Sequence, residues 1–493
     1  MSYLFHITGF ITVFRAKLSS TNLELKEGEP QGWENPKQRQ QLLDKVEALN
    51  WSANIISTGK GRFQVQVSSN LAIALTMTFS VTRLSRAIVQ PSEPTPFSQL
   101  KLSVIDRLPS LQCYARTLHV FKDGHEASAE IIREALSKAL VPYYPLAGRL
   151  QQSSEAELHI SCTGEGVCFV AASASCTLES LNYFDDAPSV PHDDLLPDSI
   201  PETESLDPLV LMQVTSFKCG GYVIGLTFCH SICDGLGAAQ FLNAVGEFAR
   251  GFAHPSIEPI WFREALPSPV REPKLPPPPV MPNYQLKHAS IDIQAQKIDQ
   301  LKQEFFYLTG ETCSTFEVVA AAIWRSRTRA IKFSKNSVVK LVFFANTRHL
   351  LNPPAPQGFY GNCFFPVTVT VSSGWLLEAS HGEVVKSIKE AKPRLPTEFN
   401  KWIYKGADEG EEPFAPPLNY TTLFISEWGR LGFNEVDYGS GHPLYVMPIQ
   451  GSSIIPVGIV CLPPRPKTGI RLMTWCVEGS HLPLLLDQMM SLA

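Results

Sequence analysis

The stretch GGYVIGLTFCHSICDG, residues 220–235, indicates how the chain folds around His230. Its first part, Tyr222 to Cys229, is rich in β-branched and aromatic residues, which predicts a buried strand. Val210 to Phe217 has the same character, and the two glycines between these segments are typical of a β-hairpin. Gly237 to Phe248 then carries apolar residues at helical spacing. His230 is therefore predicted in a turn that joins a strand to a helix.

This turn combines residue types that suit proton transfer. A histidine at a strand end is held on rigid backbone, and histidine side chains ordinarily titrate near neutral pH, which suits a general base. Asp234 follows His230 by four residues, and Gly235 permits a sharp turn there. A structural alternative is that the histidine packs against the hairpin while Asp234 caps the following helix. The residues of the turn leave both interpretations open.

Length and composition indicate a globular protein with more than one domain. A chain of 493 residues is long for one hydrophobic core and favours two domains. Its 44% hydrophobic and 18% charged residues are typical of globular proteins. The formal net charge is −5 and no run of lysine and arginine occurs, so a nucleic-acid or anionic-membrane surface is not the expected partner.

The 11 cysteines are scattered and form neither CxxC pairs nor clusters with zinc-ligand spacing. This usage is typical of buried thiols in a reducing compartment, and we expect a cytoplasmic protein with no metal site. No apolar run reaches the roughly 18 residues of a membrane-spanning helix. The first residues also lack a basic region and a small-residue cleavage site, which argues against a signal peptide.

Composition along the chain predicts four segments. Residues 1–76 are an N-terminal extension, either loosely ordered or preceding the true start at Met77. Residues 77–254 and 290–493 each alternate helical and strand patterns and are predicted as two α/β domains. The proline-rich residues 255–289 are predicted as the crossover between them.

A set of short motifs resembles the plant CoA-dependent acyltransferase family known as BAHD. The set covers about 400 residues in the order of that family, and together the motifs are far more specific than any one alone. They are Tyr143-Tyr-Pro-Leu-Ala-Gly-Arg149, Cys162-Thr-Gly-Glu-Gly166, the HxxxD motif His230 to Asp234, Cys313-Ser-Thr-Phe-Glu317, Asn346-Thr-Arg348, Phe359-Tyr-Gly-Asn362, Trp428-Gly-Arg-Leu-Gly432 and Asp437-Tyr-Gly-Ser-Gly441.

The resemblance implies a fold, a reaction and a site. The fold would be α/β, with two chloramphenicol-acetyltransferase-like domains and an active-site channel between them. His230 would be the general base, and Asp234 a structural aspartate paired with Arg348. Ser426 lies where relatives place a hydroxyl that stabilises the tetrahedral intermediate. The implied enzyme is an acyltransferase (EC 2.3.1.-) of plant secondary metabolism that uses acyl-CoA as co-substrate and has no permanently bound cofactor.

One motif departs from the family pattern, which is usually DFGWG. Here Asp437, Gly439 and Gly441 are retained as structural residues, while Ser440 replaces the tryptophan. The family's version of this loop is largely structural and lies away from the base. The substitution puts the handling of the acyl donor in question.

Three further segments resemble a grass subgroup that transfers hydroxycinnamoyl groups: residues 344–349, 362–366 and 467–478. The expected substrates are therefore an aromatic acyl-CoA and a small hydroxylated acceptor, bound by a monomer. O-acylation and N-acylation are not separated by these motifs.

Two other functions remain open from the sequence. Cys229 or Cys233 could act as a nucleophile in a Cys–His hydrolase, although Cys229 should point to the strand face opposite His230. The chain could also be a non-catalytic relative that binds small molecules, which the altered Asp437–Gly441 motif would favour. Metal binding lacks a third ligand beside His230 and Asp234.

Overall fold

The computed structural model describes residues 79–124, 128–153, 158–185, 192–198, 208–268, 283–406, 412–415, 419–449 and 455–490, together with five strands nearer the N-terminus. The chain divides into two units, Met1–Thr78 and Phe79–Ala493. In the first unit, β1 (Ser2–Ile7), β2 (Phe10–Ser19) and β3 (Asn22–Lys26) form an antiparallel sheet, and β4 (Ala53–Ser57) pairs with β5 (Phe63–Val67). Apart from these strands, the extension predicted for residues 1–76 lies outside the described residues.

The second unit contains two six-stranded mixed sheets, and the first of them carries the candidate site. Its strand order is β18-β8-β13-β12-β11-β6. Only the β11–β12 pair is parallel in this sheet. Its strands are β6 (Val81–Val89), β8 (Tyr114–Phe121), β11 (Val167–Ala174), β12 (Val210–Ser216), β13 (Tyr222–Cys229) and β18 (Tyr445–Pro448).

Two helices and a small sheet accompany this first sheet. The helices are α1 (Ser128–Ala139) and α2 (Gly235–Ala249). The small antiparallel sheet consists of β7 (Ser98–Lys101), β9 (Arg149–Gln152) and β10 (Leu158–Cys162).

The second six-stranded sheet has the order β14-β20-β19-β17-β15-β16. Its strands are β14 (Leu286–Ile293), β15 (Val338–Asn346), β16 (Phe364–Ser372), β17 (Thr422–Glu427), β19 (Val457–Cys461) and β20 (Ile470–Glu478). The helices of this part are α3 (Ala295–Thr309), α4 (Thr315–Ile331), α5 (Ser373–Glu378), α6 (His381–Ala391), α7 (Leu395–Lys405) and α8 (Leu482–Met490).

Strand β18 does not follow the division predicted from the sequence. It comes from residues 290–493, which were expected to build only the second half, yet it pairs antiparallel with β8 at the edge of the first sheet. The register places Tyr445 opposite Val120 and Pro448 opposite Thr117. The crossover at 255–289 therefore does not separate the two sheets completely. Part of that segment, residues 269–282, lies outside the described residues.

The two faces of β13 pack against different layers, because all eight of its residues are buried. Ile224, Leu226 and Phe228 join the core that contains buried residues of α1 and α2. Val223 lies in a second apolar cluster, which includes Ile459 and Met473 from the second sheet. Alternate side chains of a strand point to opposite faces, so β13 joins its helices to the other sheet. This position fixes the strand end that precedes His230.

Helix α2 begins directly after the turn. Asp234 is its N-cap, and Asp234 Oδ1 accepts a hydrogen bond from the Gly237 amide at 3.0 Å. A Cβ atom on Gly237 would lie 1.9 Å from the Tyr360 carbonyl oxygen, so only glycine allows this close approach. The first turn of α2 thus packs directly on the backbone that leads into β16.

Candidate active site

His230 lies immediately after β13, and its backbone is held on both sides. Its amide donates to the Cys113 carbonyl at 2.8 Å, and its carbonyl accepts from Asn362 Nδ2 at 2.8 Å. The ring centroid is 6.2 Å from that of Phe228 and 6.4 Å from that of Phe364, the first residue of β16. The imidazole therefore lies between residues of the two sheets.

The His230 ring has no carboxylate partner among the described residues. His230 Nδ1 is buried without a hydrogen-bond partner among the described residues. The arrangement thus differs from a catalytic triad, in which an acidic side chain holds one ring nitrogen. The position of this ring is set by its backbone and by packing.

Asp234 points its carboxylate at Arg348, as the family resemblance implied. Arg348 Nη1 donates to Asp234 Oδ2 at 2.8 Å, and Arg348 Nη2 donates to Oδ1 at 2.9 Å. The Cys363 amide also donates to Oδ2 at 3.3 Å. Burial opposes the charged form of Arg348, but the negative charge and hydrogen bonds of Asp234 outweigh it and raise the arginine pKa. Asp234 therefore both caps α2 and forms the ion pair, so the two interpretations of this residue hold together.

A second buried ionic pair supports the same turn and was not predicted from the sequence. Arg263 Nε donates to Asp106 Oδ2 at 2.9 Å, and both side chains are 0% exposed. Arg263 Nη2 also donates to the Ile232 carbonyl. Asn362 Nδ2 donates to Asp106 Oδ1 at 2.8 Å as well as to His230. Asp106, Arg263 and Asn362 are separated by about 100 residues or more in the chain. Only Asn362 stood in a motif that the sequence singled out.

The neighbouring thiols are poor nucleophiles. Cys229 is buried in the core of the first sheet, and burial raises the pKa of its thiol to about 11. Burial also raises the pKa of Cys233 well above its ordinary value. A thiolate is the reactive form of cysteine, so neither residue is prepared for attack at neutral pH. The geometry therefore favours proton transfer by His230 over a Cys–His hydrolase.

Ser426 lies half-buried near the end of β17, where it pairs with Ile459 of β19. Its Oγ accepts a hydrogen bond from Trp428 Nε1 at 3.1 Å. Because a serine hydroxyl carries one proton, this contact leaves the Ser426 O–H free to donate.

The Asp437–Gly441 loop is held together by its own hydrogen bonds. Asp437 Oδ1 accepts from the Gly439 amide at 2.8 Å and from the Gly441 amide at 2.9 Å. The two glycines have φ of +102° and +90°, which strongly favour glycine. Arg250 of the segment after α2 donates to the Asp437 carbonyl.

Ser440 lies at the opposite end of β13 from His230. Its Oγ is 3.0 Å from the Tyr222 hydroxyl oxygen, and Tyr222 is the first residue of that strand. Eight residues at 3.3 Å each separate Tyr222 and His230 by about 26 Å. The loop with the altered residue therefore acts on the strand and does not contact the base.

A cavity of about 220 Å³ lies between the sheets. Its wall on β18 lies across β8 from β13: the Ile449 amide donates to the Arg116 carbonyl on one edge of β8, and the His230 amide donates to the Cys113 carbonyl on the other edge. Three residues along β8 and two strand spacings across it separate the His230 and Ile449 backbones by about 14 Å. The lining residues are His192, His288, Met447, Pro448, Ile449, Met473 and Trp475.

The cavity is apolar with two imidazole groups in its wall. The ring centroids of His288 and Trp475 are 4.5 Å apart. The Nε2 atoms of His192 and His288 have no hydrogen-bond partner in the part of the chain that the structure describes. Burial, helped by the positive charges of His192 and Arg471, lowers the pKa of His288 to about 4. His288 is therefore neutral at pH 7.

Two kinds of site are not found among the described residues. No group of three or more histidine, cysteine, aspartate or glutamate side chains there could hold a metal ion. No helix in the described ranges is both long and apolar enough to cross a membrane.

Comparison with known proteins shows the family. The sequence profile described as "Transferase family" matches residues 79–477. The chain belongs to this family, the BAHD-type plant acyltransferases. Rice "Acyl transferase 4" (Oryza sativa subsp. japonica) is 45% identical over 438 residues, which cover 84% of this chain and 99% of that protein. The acyltransferase chemistry implied by the motifs is confirmed by these matches.

The name of a second relative specifies an acyl group. A solved structure supports the fold. "Myricetin 3-O-glucosyl 1,2-rhamnoside 6'-O-caffeoyltransferase AT2" of Crocosmia x crocosmiiflora is 36% identical over 84% of this acyltransferase and 99% of that protein. The crystal structure of F. sporotrichioides TRI101 complexed with coenzyme A and T-2 matches with a TM-score of 0.62 and 14% identity. It covers 79% of this acyltransferase and 97% of that chain. The predicted α/β fold of two chloramphenicol-acetyltransferase-like domains is thereby confirmed.

Proposed function

We propose that this acyltransferase moves an acyl group from coenzyme A to an alcohol, with His230 as the general base. The observation that carries the proposal is the fixed position of His230 at the end of β13, with its ring between the sheets and with no carboxylate partner on Nδ1 among the described residues. An imidazole held this way is available to a substrate proton. The TRI101 complex with coenzyme A supports CoA as the co-substrate.

The reaction is direct transfer in a ternary complex. The acceptor oxygen forms a bond to the thioester carbonyl carbon while its proton passes to His230. The tetrahedral intermediate carries negative charge on the former carbonyl oxygen, and the Ser426 hydroxyl is the proposed donor to it. The carbon–sulfur bond then breaks, and the CoA thiolate takes the proton from His230. No covalent acyl-enzyme is formed, in keeping with the buried thiols beside the base.

The cavity between the sheets supports an aromatic acyl group. A ring fits against Trp475 and between the thioethers of Met447 and Met473, since sulfur and aromatic groups attract each other. The distance of about 14 Å between the His230 and Ile449 backbones suits an acyl chain longer than acetyl. The caffeoyl group named for the Crocosmia relative is of this kind.

We further propose that the enzyme is a monomer. We also propose a cytoplasmic location, because all eleven cysteines are free and suit a reducing compartment. Donor and acceptor would enter the space between the sheets, with no permanent cofactor.

A matrix of acyl-CoAs against alcohols and amines, measured by release of free CoA thiol, tests the function. We expect transfer to alcohols, with p-coumaroyl- and caffeoyl-CoA preferred to acetyl-CoA. Trp475→Ala should lower kcat/KM for the aromatic donors and leave acetyl-CoA unaffected. Equal losses for all donors would show that the cavity does not bind the acyl group.

His230→Ala tests the base. We expect transfer to fall by roughly 10²–10⁴ with the fold intact, because only the proton acceptor is lost. Cys229→Ala is the control and should keep most of the activity. Near-wild-type turnover in folded His230→Ala would refute the assignment, and a chain that transfers nothing yet binds acyl-CoA would be a small-molecule binding protein.

A further inference from the structure

The turn from His230 to Asp234 is held by two separate polar networks, and only one of them contains Asp234. We propose that Asn362, oriented by the buried Asp106–Arg263 pair, is a positioning residue for His230. This inference rests on the proposed function, because it assigns to Asn362 an effect on the base in that reaction.

Asn362 is fully buried, and both hydrogens of its side-chain amide are used. Nδ2 donates to Asp106 Oδ1 and to the His230 carbonyl, each at 2.8 Å. The Asn362 backbone amide also donates to Asp106 Oδ1, at 3.2 Å. Two acceptors on one nitrogen fix the rotation of the amide group, while Oδ1 has no partner among the described residues. The side chain therefore has one orientation that satisfies its neighbours, and this orientation holds the carbonyl of the base.

Asp106 is the centre of this network. Its Oδ2 accepts from the Ser103 amide at 3.0 Å, from Ser103 Oγ at 2.8 Å and from Arg263 Nε at 2.9 Å. The Arg263 guanidinium lies 3.7 Å from the centroid of the Trp261 ring and reaches the Ile232 carbonyl. A buried carboxylate with this many donors has little freedom to move. Asp106 thereby orients the two side chains that hold the turn, Asn362 and Arg263.

Asn362 and Arg263 donate hydrogen bonds to backbone carbonyls that find no partner within the turn itself. The carbonyls of His230 and Ile232 point out of the turn, and an unpaired buried carbonyl is costly. Arg348, by contrast, binds the side chain of Asp234 at the other end. The networks share no side chain, so removing Asn362 leaves the Asp234–Arg348 pair in place.

The expected effect is on the rate of the chemical step. A change of about 1 Å in the position of a catalytic group costs up to roughly 10² in rate. Asn362→Ala should therefore lower kcat by about 10–100-fold and leave KM for the acyl-CoA and the acceptor unchanged, because Asn362 contacts His230 through its backbone.

Asn243→Ala is the matched control. Asn243 Nδ2 also donates twice, to the Ala239 carbonyl at 2.8 Å and to the Gly432 carbonyl at 3.1 Å, on α2 and away from the turn. Both variants remove an amide with two hydrogen bonds and should lower the melting temperature. Only Asn362→Ala should lower kcat. If both variants lose kcat equally, or if folded Asn362→Ala turns over within twofold of wild type, the proposal is overturned.

A measurement without substrate separates this proposal from the proposed function. The ring signal of His230 in ¹³C-histidine-labelled protein is assigned by its loss in His230→Ala. We expect this signal to shift or broaden in Asn362→Ala and to stay unchanged in Asn243→Ala. An unchanged signal in Asn362→Ala contradicts the positioning role even if no acyl transfer is found. If Asn362→Ala is insoluble, Asn362→Ser, which keeps one donor, should show the same change to a smaller degree.

Discussion

His230 and Asp234 are four residues apart and serve different ends of one turn. The Asp234 carboxylate accepts from Arg348, from the Gly237 amide and from the Cys363 amide, which leaves it no part in proton transfer to the ring. A carboxylate in such a position sets where the backbone runs. Replacing Asp234 should therefore lower the stability of the fold, and it should affect catalysis only indirectly, by moving the turn that carries His230.

A double-mutant cycle on Asp234 and Arg348 tests this role. Each single alanine variant should be destabilised by roughly 3–5 kcal/mol, because a buried charge loses its partner. The double variant should be less destabilised than the sum of the two, since the second substitution removes the stranded charge. Chemical denaturation measures all three free energies of unfolding. Additive losses would mean that the two side chains do not interact in solution.

Strand β13 carries different chemical groups at its two ends. His230 follows its last residue, and the Tyr222 hydroxyl at its first residue contacts Ser440 Oγ. Burial raises the pKa of the Tyr222 hydroxyl far above its ordinary value, so it stays protonated and needs a hydrogen-bond partner. Ser440 supplies this partner at the position where the DFGWG pattern has tryptophan.

Ser440→Trp and Ser440→Ala separate the two effects of this loop. Restoring the aromatic residue should leave the transfer rate equal or higher, because the loop is about 26 Å from His230 along β13. Ser440→Ala should keep the rate and lose about 1–3 kcal/mol of stability, because a buried hydroxyl is left unpaired. Initial rates and melting temperatures check both. A collapse of soluble expression in Ser440→Trp would show that the core has repacked around serine.

Local patterns predicted the elements that carry the base. The strand Tyr222–Cys229 and the helix after it follow from residue type and spacing within one short segment. The Asp106–Arg263 pair could not be predicted, because its members are 157 residues apart and each resembles an ordinary surface charge in the sequence. The same holds for β18, whose pairing with β8 depends on the tertiary fold. The role of Ser426 stays a prediction.

Several histidines across the molecule are buried in their neutral form. Burial lowers the pKa of His119 to about 3 and those of His288 and His381 to about 4. In an unfolded chain these groups titrate near 6.5. Between about pH 6.5 and pH 4 the unfolded state therefore binds more protons than the folded state, which destabilises the fold.

We expect the free energy of unfolding to fall as the pH drops from about 6.5 to about 4, by on the order of 3 kcal/mol for one such histidine. Thermal unfolding at a series of pH values measures the trend. His119→Gln should show a smaller decline with pH than wild type. A melting temperature that is constant down to about pH 4.5 would contradict burial of neutral histidines.

A truncated chain that starts at Met77 should keep acyl transfer. The family profile matches from residue 79, and the networks around His230 draw on residues from Ser103 onward. All of these residues belong to the second unit, Phe79–Ala493. Rates of the full and the truncated chains, compared at equal folded concentration, check this. An insoluble or inactive truncated protein beside an active full chain would show that residues 1–76 are structural.

The pairing of β18 with β8 also has a consequence for how the enzyme is made. During synthesis, domains usually fold in order from the N-terminus. The edge strand of the first sheet, Tyr445–Pro448, is translated after the second sheet has received four of its six strands. A nascent chain on the ribosome therefore holds β8 with one edge open until residues 445–448 have emerged. Ribosome-bound intermediates of this acyltransferase would expose a strand edge, where unpaired backbone groups can bind another chain.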